Sequence, residues 1–203
     1  MSLLSLFRGR RHDEIANSLY LAIVAQARRS EFYTHAAVPD TVPGRFDMVT
    51  LHCFLVMRRL KRLATQVDET GRADEIGRKA ASLSQTLFDV MFADMDRNMR
   101  EMGVGDLSVG KKVKKLAKGF YGRVAAYDLG LDGHGERMLV EALLSTLYGG
   151  EPADTEDRGA AEQGALAMAD YMRAAWKDLE HQSDADLLAG KVSFPPFQIG
   201  NAA

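Results

Sequence analysis

Apolar residues recur three or four positions apart over most of this chain, the spacing that gathers them on one face of an α-helix. The first such run, from about Asp13 to Ser30, puts Ile15, Leu19, Ala22, Ile23 and Ala27 on one stripe, with Asp13 as an N-cap. Pro39 and Pro43 mark a loop, since a helix interior does not tolerate them. A second helix is predicted over Arg45–Gln66 and a third from near Ala73 to Met102. Gly103, Gly105 and Gly110 punctuate the turn that follows. Ser108 is expected to cap a fourth helix ending near Leu129. A fifth is predicted over Gly135–Tyr148, a sixth over Ala160–Gln182, and a short seventh turn over Asp184–Ala189. Residues 149–159, acidic and poor in apolar side chains, read as a loop, and Pro195 and Pro196 exclude helix from the tail. No segment alternates with the period of a strand. The pattern predicts an all-α chain: a single compact domain of about six to seven helices over 13–193, a flexible tip at 1–12 and a tail at 194–203.

Two helices have unusual wheels. In the second, Val49, Val56, Leu60 and Leu63 form one apolar stripe. Leu51, Phe54 and Leu55 lie on another side, together with Asp47, Arg58 and Arg62. A helix apolar all round is buried on several faces; the alternative is a face kept for a partner. In the third, the stripe Ile76, Ala80, Leu83, Leu87, Val90, Met91 projects onward to Asp94, with Asn98 nearby. A carboxylate on a core stripe needs a basic or hydrogen-bonding partner, with Arg58, Arg59 and Arg62 as candidates, unless the C-terminal half of this helix leaves the core. Met95, Met99 and Met102 drift to a neighbouring stripe, where flexible thioethers suit either an irregular core or an adaptable binding surface.

The candidate chemistry is sparse. His12, His35, His52, His134 and His181 include no pair at helical i, i+3 or i, i+4 spacing, and no Glu-x-x-His occurs, so no metal is expected. Cys53 follows His52, but neighbours on a helix point about 100° apart and make no nucleophile–base pair. Asp94 and Asp96 form one weak Asp-x-Asp whose members point to different sides, short of the paired aspartate motifs that hold magnesium for isoprenoid chemistry. Gly103-Val104-Gly105 is too short for a phosphate loop. Neither a catalytic residue nor a cofactor is expected.

Charge is uneven. Residues 1–128 carry 21 basic against 15 acidic side chains, residues 129–203 only 5 against 13, so the two stretches suit contacts of opposite sign. Lys111, Lys112, Lys114, Lys115 and Lys118 crowd the start of the fourth helix, where the helix dipole disfavours cations. Such a cluster is a solvated face, or it meets an acidic protein, RNA or lipid headgroups. No run approaches the ~20 apolar residues of a spanning helix. Leu3, Leu4, Leu6 and Phe7 precede Arg8, Arg10 and Arg11, the wrong order for a secretory signal. A frayed tip is the simpler reading, an anionic membrane contact the other.

Three blocks carry a resemblance. LYLAIVAQARRSEFYTHAAVPDT, FDMVTLHCFLVMRRL and, above all, LFDVMFADMDRNMREMGVGDLSVGKKVKKLAKGFYGRVAAYD closely resemble the ubiquinol–cytochrome c chaperone family over about residues 15–185. The short lead before the first block is similar to bacterial members, which lack a mitochondrial presequence. The resemblance implies an all-helical, non-enzymatic chaperone that binds newly made cytochrome b and supports assembly of ubiquinol–cytochrome c reductase. It implies a cytoplasmic location, extending to peripheral contact at the inner face of the cytoplasmic membrane. A ribosome or small protein is a further partner; DNA is not. The client surface is expected on the second helix and the junction of the third and fourth: Asp47, Leu51, Phe54, Leu55, Arg58, Arg62, Asp96, Arg97, Arg100, Asp106, Lys111 and Lys115. Two alternatives stay open, an RNA- or ribosome-contacting factor acting through the lysines and an isoprenoid- or quinone-related enzyme.

Overall fold

A computed structural model describes the backbone of residues 3–67, 71–133, 136–149 and 155–198. It describes their side chains except at 3–11, 106, 107, 112, 115, 136 and 155–157. The elements are α1 (Leu3–Ala27), α2 (Ser30–Thr34), α3 (Val42–Ala64), α4 (Glu75–Glu101), α5 (Asp106–Leu131), α6 (Glu136–Leu147), α7 (Thr155–His181) and α8 (Asp184–Leu188). Among the described residues the only β pairing is an isolated bridge between Val67 and Ala73. The chain is all-α, as its periodicity requires.

The six long helices are those of the sequence pattern, but α7 starts at Thr155, inside the stretch read as a loop, and α3 starts at Val42 and takes Pro43 into its first turn, where a missing amide proton costs nothing; α8 is the predicted short turn. The one-turn α2 is additional. Two expected caps are displaced. Asp13 lies inside α1, its carbonyl accepting from Asn17 Nδ2 at 2.7 Å, because the helix already runs from Leu3 through the stretch expected to be a flexible tip. Ser108 lies inside α5, its amide donating to the Gly105 carbonyl at 2.8 Å.

The packing forms two compact units, each assembled from three separated stretches. The first comprises Met1–Val24, Cys53–Leu116 and Leu179–Ser193; the second Ala25–His52, Ala117–Asp178 and Phe194–Ala203. α1, α3, α5 and α7 each contribute to both.

In the first unit α4 carries the longest apolar stripe. Asp74 caps it by accepting the Gly77 amide at 2.6 Å. Ala80, Leu83, Leu87, Met91, Met95 and Met99 are buried along one face. Gly103, at φ +83°, ends it: its amide donates to the Arg100 carbonyl and that of Val104 to the Met99 carbonyl, a Schellman closure only glycine accepts without strain. α8 rests on α4. Gly190, at φ +86°, brings the turn after α8 against Ile15 and Ser18 of α1.

The second unit packs the end of α1, α2, the start of α3, the latter part of α5, α6 and most of α7. Its α7 face is fine-grained: Ala161, Ala165, Ala169 and Ala175 alternate with Met168, Tyr171, Met172 and Trp176. Gly164 faces the Ala36 carbonyl and the Tyr148 hydroxyl so closely that no Cβ fits. Tyr148 donates to that same carbonyl at 2.5 Å. This grip holds the loop in which Ala37 takes a positive φ of 51°.

Candidate binding surface

α3 supplies half of the residues expected at a surface, and its environment decides their roles. From Met48 to Leu60 every residue is buried except the half-buried Met57. Leu51 and Leu55 are fully buried and Phe54 is 2% exposed. These three side chains lie in the packed interior. Sequence periodicity could not separate a partner face from a helix surrounded on all sides, and the burial makes it the latter. Arg58 is buried too.

The polar residues of α3 are tied within their own units. In the second unit, Asp47 pairs with Arg123 of α5 at 2.5 Å, their side chains 14% and 25% exposed. Burial pushes the Asp47 carboxyl up to about 6, against the opposing pull of Arg123. In the first unit, Arg59 donates through Nε to the Leu179 carbonyl at 3.0 Å and through Nη2 to Asp184. That guanidinium meets the last turn of α7, whose carbonyls carry partial negative charge, and the first residue of α8. Arg62 pairs with Glu180 at the surface.

Asp94 has its hydrogen-bonding partner, and the source is α1. The Tyr20 hydroxyl donates to Asp94 Oδ2 at 2.8 Å, and Asn98 Nδ2 donates to the same oxygen at 3.0 Å. Arg59 and Arg62, two of the three arginines foreseen for this role, point to α7 and α8. Asp94 is half-buried. The buried line of α4 continues instead through Met95 and Met99, so these thioethers fill core, while Met102 is 50% exposed.

The junction of α4 and α5 keeps the predicted charges at the surface. Asp96 and Arg100 pair at 2.6 Å one turn apart, and Arg97, Lys111 and Lys114 are exposed. The side chains of Asp106 and Lys115 lie outside the described residues. Arg62 does not join this group. The end of α3 abuts the start of α4, with Gly77 against the Ala64 and Gln66 carbonyls, and Arg97 follows twenty residues later, about 30 Å along the helix. The foreseen surface thus separates into an α3 end and a junction.

Sequence reasoning missed a buried polar cluster in the second unit. His52 is fully buried; its Nδ1 lies 2.8 Å from the Met48 carbonyl and its Nε2 2.8 Å from the Tyr171 hydroxyl, which accepts from Gln26 Nε2 at 2.9 Å. Phe32 stands edge-on to both rings and to Phe197, and Phe194 edge-on to His52. Burial holds the imidazole down to about 4, only partly countered by the Met48 contact, and pushes the neighbouring Cys53 thiol far above its ordinary value. At neutral pH the imidazole is therefore uncharged and the thiol un-ionised. Among the described residues no three His, Cys, Asp or Glu side chains stand together as a metal site. No described helix is long and apolar enough to cross a membrane.

This all-α arrangement is one with precedent among known proteins. Residues 34–194 match the family described as ubiquinol-cytochrome C chaperone, and the chain belongs to that family. The solved structure of the Cbp3 homolog from Brucella abortus superposes with a TM-score of 0.76 at 32% identity, covering 97% of this chain and 98% of that one. Ubiquinol-cytochrome c reductase complex assembly factor 1 of Mus musculus is 25% identical over 181 residues, 88% of this chain and 54% of its own length. The Xenopus laevis protein of that name is 21% identical over 179 residues, covering 88% of this chain and 79% of its own. The chain spans about half the length of the mouse relative it matches.

Proposed function

We propose that this chain is an assembly chaperone for ubiquinol–cytochrome c reductase, that its client is newly made cytochrome b, and that it acts by binding and not by catalysis. The observation that carries the reading is family membership over residues 34–194, joined to a structural neighbour that matches nearly the whole chain. The client surface we infer is the α4–α5 junction. That stretch carries Asp96, Arg97, Arg100 and Lys111 together with the exposed, adaptable Met102. Charges of both signs around an apolar point orient a partner and reject wrong ones. The chaperone works on the cytoplasmic side of the membrane that holds its client, and release follows the client's own folding.

A photo-crosslinker at Arg97 or Lys111, in cells making tagged protein, is expected to capture cytochrome b. Crosslinks that cluster instead at Asp170 and Lys177 of α7 would show the junction to be structural only. The exposed Lys111 and Lys114 favour one second reading, a ribosomal RNA contact. Affinity for ribosomes would then fall steeply between low and physiological salt.

A further inference from the structure

The latter part of α5, within the second unit, has two dissimilar faces. One is engaged: Phe120 and Tyr127 are buried, Tyr127 shares a 2.5 Å hydrogen bond with Thr146 of α6, and Gly130 lies against Leu139. On the other, Lys118, Gly122, Ala125 and Leu129, and Asp132 just past the helix end with its amide still donating to the Asp128 carbonyl, follow one another at steps of four, three, four and three, with Tyr121 beside them, and all six are exposed. That alternation is the repeat of a helix–helix seam. At 3.6 residues per turn the six fall within an arc about 100° wide. Tyr121 is 61% and Leu129 47% exposed, so the centre of the stripe presents apolar bulk to water.

The order of chemistry along this stripe is cation, aromatic, small, aliphatic, carboxylate. It complements its own reversal. An identical helix laid antiparallel, with Ala125 on the two-fold axis, sets Tyr121 against Leu129 and Lys118 against Asp132, and does so twice. A parallel copy would oppose lysine to lysine and aspartate to aspartate. Such self-complementarity is the requirement of a two-fold interface. A Cβ on Gly122 would meet nothing in its own chain, so packing within the unit does not demand this glycine, whereas close approach of a second backbone would use it.

We propose that this face of α5 docks a second copy of the chain, antiparallel, with Ala125 at the axis and a Lys118–Asp132 ion pair at each end. One helix face per copy is small beside the ~1,200–2,000 Å² of stable interfaces, so the dimer is weak and depends on concentration.

Sedimentation or light scattering of the full chain over a wide concentration range reads the association, and cysteine crosslinking reads its geometry. Native Cys53 is buried. Under mild oxidation Ala125→Cys is expected to give a covalent dimer, and Lys177→Cys on α7 is not. Lys118→Glu and Asp132→Lys alone should each weaken association about tenfold, and the two together should restore it. All these positions are exposed, and unchanged circular dichroism checks the fold. A chain monomeric at every soluble concentration, with Ala125→Cys no more reactive than Lys177→Cys, would overturn the proposal. So would a dimer indifferent to both charge reversals. Loss of client crosslinks in Leu129→Arg, with the wild-type chain monomeric, would assign the face to the client and equally refute a second copy.

Discussion

Asp47 and His52 are five residues apart on α3, and their linkage to pH has opposite signs. Folding raises the Asp47 carboxyl from the ~3.9 of an unfolded chain to about 6. The folded state therefore holds this proton more tightly. The associated stability is fully present below pH ~4 and is lost as pH rises through about 6. Folding lowers His52 from ~6.5 to about 4, so here the unfolded state binds the proton more tightly. That stability is present above pH ~6.5 and lost as pH falls through about 4. Each shift of two pH units or a little more corresponds to about 3 kcal/mol, an upper figure for Asp47 because its side chain keeps some solvent contact. Over pH 4.5–6 the two slopes oppose one another, and the wild-type chain should show only the gentle slope of its remaining carboxylates. Asp47→Asn removes the falling component, so its stability should rise with pH more steeply than wild type, by about one proton. His52→Gln removes the rising component and should tilt the curve the other way. Urea denaturation at half-unit steps from pH 4.5 to 7 measures all three. Only slopes matter, so a uniform loss of stability in either variant is immaterial. Three parallel curves would refute the assignment of both groups as desolvated.

Two further substitutions probe the packing. Tyr20→Phe removes the hydroxyl that holds Asp94 and should cost about 1–2 kcal/mol in thermal or urea denaturation. Asp94→Asn, which still accepts that bond, should cost less than Asp94→Ala, and equal costs would show that the contact does not stabilise the fold. Gly164→Ala places a methyl group against the Ala36 carbonyl and the Tyr148 hydroxyl, and should destabilise by about 1–3 kcal/mol; a neutral outcome would mean the 35–41 loop yields freely.

What the sequence discloses follows the range of the interaction. The stripe of α4, its cap region and its glycine stop are encoded within a few residues of where they act, and they read directly. The all-round apolarity of α3 pointed to burial or to a partner face, and no local signal chose between them. Asp94 on a core stripe announced a need for a partner, but Tyr20 lies 74 residues away and no pattern names it. The same holds for Arg123 opposite Asp47 and for Tyr171 opposite His52. α2 is too short for a 3.6-residue period to register. Asp13 has the chemistry of a cap, but the turns preceding it are already helical, so its carboxyl has no free first-turn amides to meet.

Each unit draws on stretches from nearly opposite ends of the sequence, and this bears on how the chain is made. Gln26 meets Tyr171 across 145 positions, and Arg59 meets the Leu179 carbonyl across 120. A ribosome must synthesise almost the whole chain before either unit can close. Until then α1 and α3 emerge with their apolar stripes uncovered. Long loops must be closed before those contacts reward the entropy lost, which slows folding relative to helical proteins built from local neighbours. No cut within the chain leaves a self-sufficient piece, because removing α7 and α8 strips both units at once. A member of a chaperone family is thus itself, during its own synthesis, open to the hazard of uncovered apolar surface.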